Sequence, residues 1–120
     1  MPHLTLEYTK NLQSKIDFKE IFSKIHGEII KTGEFVLDNI KSRAICIEKY
    51  FIGDGDPDKG FVHLRISLLD QRDGNLKIHL SKALLQVLSN YLKVNTKENK
   101  CQITVEVVNI NSIYYSKEVL

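Results

Sequence analysis

A proline directly behind the initiator methionine is where chemistry could start in this chain. Pro2 is small enough for Met1 to be removed routinely, and its nitrogen would then be a free secondary amine. Such an amine is compact, sits on a strand end, and is basic without a long flexible stem. One base of this kind can take a proton from a substrate and return it to another atom, provided its pKa lies near the working pH. The simpler reading of Pro2 is processing alone, since a proline at the first position of a strand leaves no ladder hydrogen bond unmade.

Other polar clusters promise less. Asp54, Asp56 and Asp58 alternate like the start of a calcium loop. The glycine falls one place late, Pro57 intrudes, and Arg65 stands where the last acidic ligand belongs, so a turn is the better reading. His3 and His63 lie on strand-like segments without ligand-like companions, and His26 and His79 fall in helical patterns. Packing or hydrogen bonding explains them more simply than a metal. Cys46 and Cys101 occupy apolar, strand-like stretches without the cationic setting of a nucleophile, so buried, reduced thiols in a cytoplasmic protein are expected.

The elements that must position Pro2 follow from the hydrophobic pattern. The alternation Leu4, Leu6 against Thr5, Glu7 predicts a strand over residues 2–9. Asp17 and Glu20 form a capping-box pattern before Phe18, Ile21, Phe22, Ile25 and Ile29, which recur at helical spacing until Thr32-Gly33. A second strand runs from Arg43 to Glu48, and a loop punctuated by Gly53, Gly55, Pro57 and Gly60 follows. The order then repeats: a strand from Phe61 to Leu68, a polar turn over 71–75, a helix from Leu76 to Leu92, and a strand from Ile103 to Val108. A shift of 60 positions lays His3-Leu4 on His63-Leu64 and each element on its counterpart. The chain therefore reads as one domain, 1–120, made of two β-α-β halves, about 1–60 and 61–120.

Right-handed crossovers put both helices on one side of a four-stranded mixed sheet, giving an α/β (α+β) fold. The other face is left bare, and its Ile, Val, Leu and Cys residues predict that further copies of the chain cover it. A net charge of +2, with lysines scattered among acids, argues against nucleic acid or an anionic membrane as partner. No apolar run approaches the roughly 18 residues of a membrane span.

Met1-Pro2-His3-Leu4, Ile40-Lys41-Ser42-Arg43, Phe61-Val62-His63-Leu64 and Arg72 in its turn are the residues that carry a resemblance. Together they resemble the 5-carboxymethyl-2-hydroxymuconate Δ-isomerases of the tautomerase superfamily, relatives of 4-oxalocrotonate tautomerase and macrophage migration inhibitory factor. The likeness runs almost end to end. It implies a homotrimer of tandem β-α-β units, an N-terminal proline as general base and acid, no metal or organic cofactor, and a role in aromatic-compound catabolism (the homoprotocatechuate pathway). It further implies that Arg43 and Arg72 bind the substrate's carboxylates, with Lys41 standing where close relatives have an arginine. His3, beside the base, and Phe51, by family position, would line the pocket.

These residues suit the implied reaction. An apolar cleft and neighbouring cations both disfavour an ammonium, so they lower the pKa of a proline amine toward neutrality. The same cations hold carboxylates and stabilise a developing enolate, a task for which a guanidinium is better shaped than an ammonium. At the 60-residue shift Pro2 faces Val62, Arg43 faces Ile103 and Arg72 faces Leu12, which predicts one site per chain. The expected activity is an isomerase or tautomerase moving a double bond in an unsaturated 2-hydroxy di- or tricarboxylate. A keto-enol tautomerase of a phenylpyruvate-like substrate and a non-catalytic trimeric binding or signalling module are the alternatives.

Overall fold

Leu4, Leu6 and Tyr8 turn to one side of the first strand, β1 (His3–Thr9), and all three are buried, while His3, Thr5 and Glu7 turn to the other. This alternation is the pleat of a strand with one covered face. The computed structural model describes residues 1–96 and 100–120. After β1 come α1 (Phe18–Ile30), β2 (Lys41–Ile47), β3 (Gly60–Leu69), α2 (Gly74–Leu92) and β4 (Cys101–Ile110), with short 3-10 turns at Lys10–Lys15, Leu37–Asn39 and Ser112–Tyr114. The strands pair in the order β2-β1-β3-β4. Each half supplies a parallel pair, β1 with β2 and β3 with β4, and the halves meet antiparallel through β1 and β3. The fold is the expected mixed sheet covered by two helices.

Helix α1 buries Ile21, Ile25 and Ile29, one every four residues, and α2 buries Leu80, Leu84, Leu88 and Leu92 at the same spacing. They close over Val62, Leu64, Ile66 and Leu68 of β3, forming one core whose helix and central-strand members are almost wholly removed from water. Each such side chain contributes about 1.5–3 kcal/mol of apolar transfer, so the sheet and the helices are stable only together. Asp17 caps α1 by accepting from the Glu20 N–H at 3.2 Å. The reciprocal arm of the expected box is replaced, because the Asp17 N–H donates to the Tyr91 hydroxyl of α2 at 2.8 Å. That bond ties the start of one half to the helix of the other. Past the end of α1, Gly33 adopts φ +74, the left-handed conformation that ends a helix without strain.

The bare face of the sheet is more polar than its sequence suggests. Cys46 and Cys101 both turn toward the helices and pack against the core, as do Ile103, Val105 and Val107. The register instead aligns Thr5 with Arg43 and Arg65, and Arg65 with Glu106, across the bare face. Arg65 donates to Glu106 at 3.0 Å, and His63 lies 3.2 Å from the same carboxylate. Ile45, Phe61, Leu69, Val108 and Ile110 are apolar members of that face. Of the residue types expected there, only the cysteines are absent, because the run Ala44-Ile45-Cys46-Ile47 does not itself say which alternate set faces the helices, whereas Thr104 and Glu106 mark the outward set of β4.

Candidate active site

Topology gathers the candidate residues at one end of the sheet. Since β1 and β2 are parallel, their first residues lie together: His3 aligns with Lys41, and Thr5 with Arg43. Since β3 runs antiparallel to β1, it ends at the same place, with Ser67 against His3, and the turn carrying Arg72 follows. Pro2 is buried just ahead of β1, and its carbonyl accepts from the Lys41 N–H at 3.1 Å. This bond fixes the proline against β2 without using the proline nitrogen.

Met1 precedes Pro2 in this chain, and its α-amine stands in for the amine that a mature Pro2 would carry one residue later. That amine is pushed down from 8.0 to about 6. Burial is the largest cause, followed by the charges of Lys41 and Lys117, a hydrogen bond with Lys41, and the charge of Arg72. The environment therefore does what a proton-shuttling amine requires: it favours the neutral, basic form.

The cations are held in place by the chain around them. Lys41 donates to the Asn39 carbonyl at 3.0 Å, and Lys117 donates to the Asn39 side-chain oxygen at 2.8 Å. Arg43 lies 2.9 Å from His3 Nδ1, and the other ring nitrogen of His3 is 2.9 Å from the Tyr115 hydroxyl. Arg72 donates to the Glu34 carbonyl at 3.0 Å, sits 3.6 Å from the Glu34 carboxylate, and stacks 4.5 Å above the Phe35 ring. Its guanidinium is thus partly occupied by the loop after α1.

Pro2, His3, Lys41, Arg43 and Arg72 share this end of the sheet, whereas Phe51 does not. Phe51 follows β2 at its opposite end, is 79% exposed, and lays its ring over Gly55. A side chain on Gly55 would come within 2.7 Å of that ring, and the φ of +88 there also favours glycine. Within one chain, Phe51 is separated from Pro2 by the length of the strand.

Three residues of the site escape a reading of the sequence: Asn39, Tyr115 and Lys117. The last two belong to the tail after β4, which has no periodicity of its own. Their signal is topological. Parallel pairing sets Ile110 against Leu69, so β4 releases the tail beside the end of β3, where Pro2 lies.

Residues 2–119 match the family model described as 5-carboxymethyl-2-hydroxymuconate isomerase. The chain belongs to that family. Among its relatives is the 5-carboxymethyl-2-hydroxymuconate Delta-isomerase of Escherichia coli, 22% identical over 107 residues that cover 89% of this chain and 85% of the relative. A crystal structure of a 5-carboxymethyl-2-hydroxymuconate isomerase from Deinococcus radiodurans superposes with a TM-score of 0.89 at 28% identity, covering 98% of this chain and 88% of that one. A fused 4-OT symmetric trimer shares the fold at 14% identity, with a TM-score of 0.69 over 91% of this chain and 85% of that one. The family match and the relatives named isomerases support an isomerase function, and the likeness to the fused 4-OT shows a shared fold. Among the described residues, no helix is long and apolar enough to cross a membrane.

In this isomerase-family chain the site also sets a pH dependence. His3 is held below its usual 6.5 by burial first and then by Arg43, and His26, bonded to Ser42 at 2.7 Å, is lowered by burial. Both are depressed in the fold, so the unfolded chain binds more protons and stability rises with pH. Their contribution is complete above the unfolded value of 6.5 and is lost as pH falls through the lower native values. The thermal midpoint is expected to decline on acidification from about pH 7 to about pH 5, before most carboxylates titrate. A flat profile across that interval would show that neither imidazole resists protonation.

Proposed function

We propose that the protein isomerises an unsaturated 2-hydroxy di- or tricarboxylate of the 5-carboxymethyl-2-hydroxymuconate type, with Pro2 as the proton carrier after Met1 is removed. The observation that carries this reading is the burial of Pro2 at the end of the sheet where Lys41 and Lys117 converge, a setting that lowers the Met1 α-amine to about 6. The neutral Pro2 nitrogen takes the proton of the substrate's 2-hydroxyl group. Electrons shift along the diene, and the same nitrogen returns the proton to a distal carbon. A hydroxy-diene becomes an unsaturated ketone with nothing added or lost, so no co-reactant is needed.

Arg43, Arg72 and Lys41 supply charge for the carboxylates, and Lys117 adds a fourth cation from the tail. Arg43 offers the planar fork suited to a carboxylate, whereas Lys41 offers a point charge. The active form is a homotrimer, as in the fused 4-OT described as a symmetric trimer. Packing of the bare sheet faces around a symmetry axis would bury the polar surface of Thr5, Arg65 and Glu106. It would also allow Phe51 to reach a pocket from the neighbouring subunit, which it cannot do within its own.

Intact mass under denaturing conditions, followed by an assay with a 2-hydroxymuconate-type diacid, tests the proposal. A mass lacking Met1 together with rapid loss of the hydroxy-diene absorbance is expected. A retained Met1 would leave the Pro2 nitrogen as an amide with no basic lone pair, and the isomerase mechanism would be wrong.

A further inference from the structure

We infer that the C-terminal tail contributes a substrate-contacting group: the hydroxyl of Tyr115, aligned by Arg43 through His3, donates a hydrogen bond to the substrate oxygen on which charge develops. The inference rests on the isomerase reading above and adds a residue to its site.

The direction of the hydrogen bonds carries it. A guanidinium can only donate, so the His3 Nδ1 lying 2.9 Å from Arg43 must accept. A neutral imidazole that accepts at Nδ1 carries its proton on Nε2, and His3 Nε2 therefore donates to the Tyr115 oxygen at 2.9 Å. A protonated ring would instead aim an N–H at the guanidinium. Burial and the neighbouring cations keep the ring neutral. The Tyr115 oxygen thus receives a hydrogen bond, and its own proton has no acceptor among the described residues.

Position and surroundings agree with this use. His3 follows Pro2 directly, and its ring meets the Tyr115 ring edge-on at 6.0 Å between centroids. Tyr115 is half-buried, although the tail residues on either side of it are exposed. Two residues on, Lys117 bonds to Asn39 at 2.8 Å and pins the tail against the start of β2. The relay also polarises the tyrosine in the useful sense. Donation from Arg43 makes His3 Nε2–H a stronger donor, and the bond it gives to the Tyr115 oxygen strengthens that hydroxyl as a hydrogen-bond donor in turn. A neutral donor of this kind stabilises an enolate oxygen without surrendering its proton.

The full, methionine-processed chain carrying Tyr115→Phe is the test, since it loses only the hydroxyl and keeps the ring. The kcat on a 2-hydroxymuconate-type diacid is expected to fall about 100-fold, the lower end for loss of one oxyanion donor, with KM changed by less than about twofold. His3→Leu should lose a comparable amount, and the double variant should be no worse than Tyr115→Phe alone, because both break one relay. An unchanged kcat in Tyr115→Phe, or losses that add in the double variant, would overturn the inference. A second readout is independent of turnover: affinity for 5-hydroxyisophthalate, a stable diacid whose phenolic oxygen mimics the enolate, should weaken about tenfold in Tyr115→Phe. Absent or equal binding by the two proteins would overturn the donor role. A wild-type protein that binds this probe through Tyr115 but turns over no hydroxy-diene would retain the donor and discard the proposed reaction.

Discussion

Pro2→Ala is expected to lower kcat for a 2-hydroxymuconate-type diacid by about 10²- to 10⁴-fold, the range for loss of a positioned general base. Alanine also permits removal of Met1, so the variant keeps an amine at the same place. What it loses is the ring, which fixes the direction of the nitrogen lone pair and makes the amine secondary. A freely rotating primary amine is more hydrated and must be ordered again in every turnover. The oligomer and the thermal midpoint should hardly change, since the Pro2 carbonyl that accepts from Lys41 at 3.1 Å is retained in the variant. Turnover within a few-fold of wild type would show that the reaction does not depend on a secondary, ring-held amine at residue 2. Collapse of the oligomer in Pro2→Ala would instead give the proline a structural role that the fold does not assign to it.

Arg43→Ala is expected to have the next largest effect, about 100-fold in kcat/KM, through both constants. Loss of a charge-assisted contact to a carboxylate costs about 1.5–3 kcal/mol and raises KM. The structure adds a loss in kcat, because Arg43 also holds His3 at 2.9 Å and His3 in turn holds Tyr115. Arg43→Lys should recover part of KM but little of kcat, since an ammonium restores the charge without the planar fork. Arg72, already engaged with Glu34 and stacked on Phe35, should matter less when replaced in the same way. Steady-state kinetics of the three variants separates these cases. Unchanged constants in Arg43→Ala would return that residue to the sheet surface.

How much of this could be read from the chain alone depends on the range of the interaction concerned. Both helices, their isoleucine and leucine stripes, the Asp17 cap and Gly33 are local features, and a local pattern suffices to predict them. The pairing of the two halves was also legible, because β-α-β units of similar spacing have few ways to join. Pro2, Lys41 and Arg43 were singled out by the family resemblance, and the parallel pairing of β1 with β2 then brings them to one end of the sheet.

The rest required tertiary structure. The apolar run Ala44 to Ile47 in β2 hides which alternate residues meet the helices, and only the crossover geometry turned Cys46 inward and left Arg43 and Ile45 outside. The family position of Phe51 suggested a pocket residue, yet strand direction sends it to the far end of its own subunit. Tyr115 and Lys117 lie more than a hundred residues from Pro2, in a tail with no periodic signal. The parallel β3–β4 pair decides where that tail emerges. Sequence determined the elements and placed Pro2 at one strand end, because both follow from residue type and short spacing. The fold alone decided which cations and which hydroxyl gather at that end, because long-range register, not residue type, sets their distances.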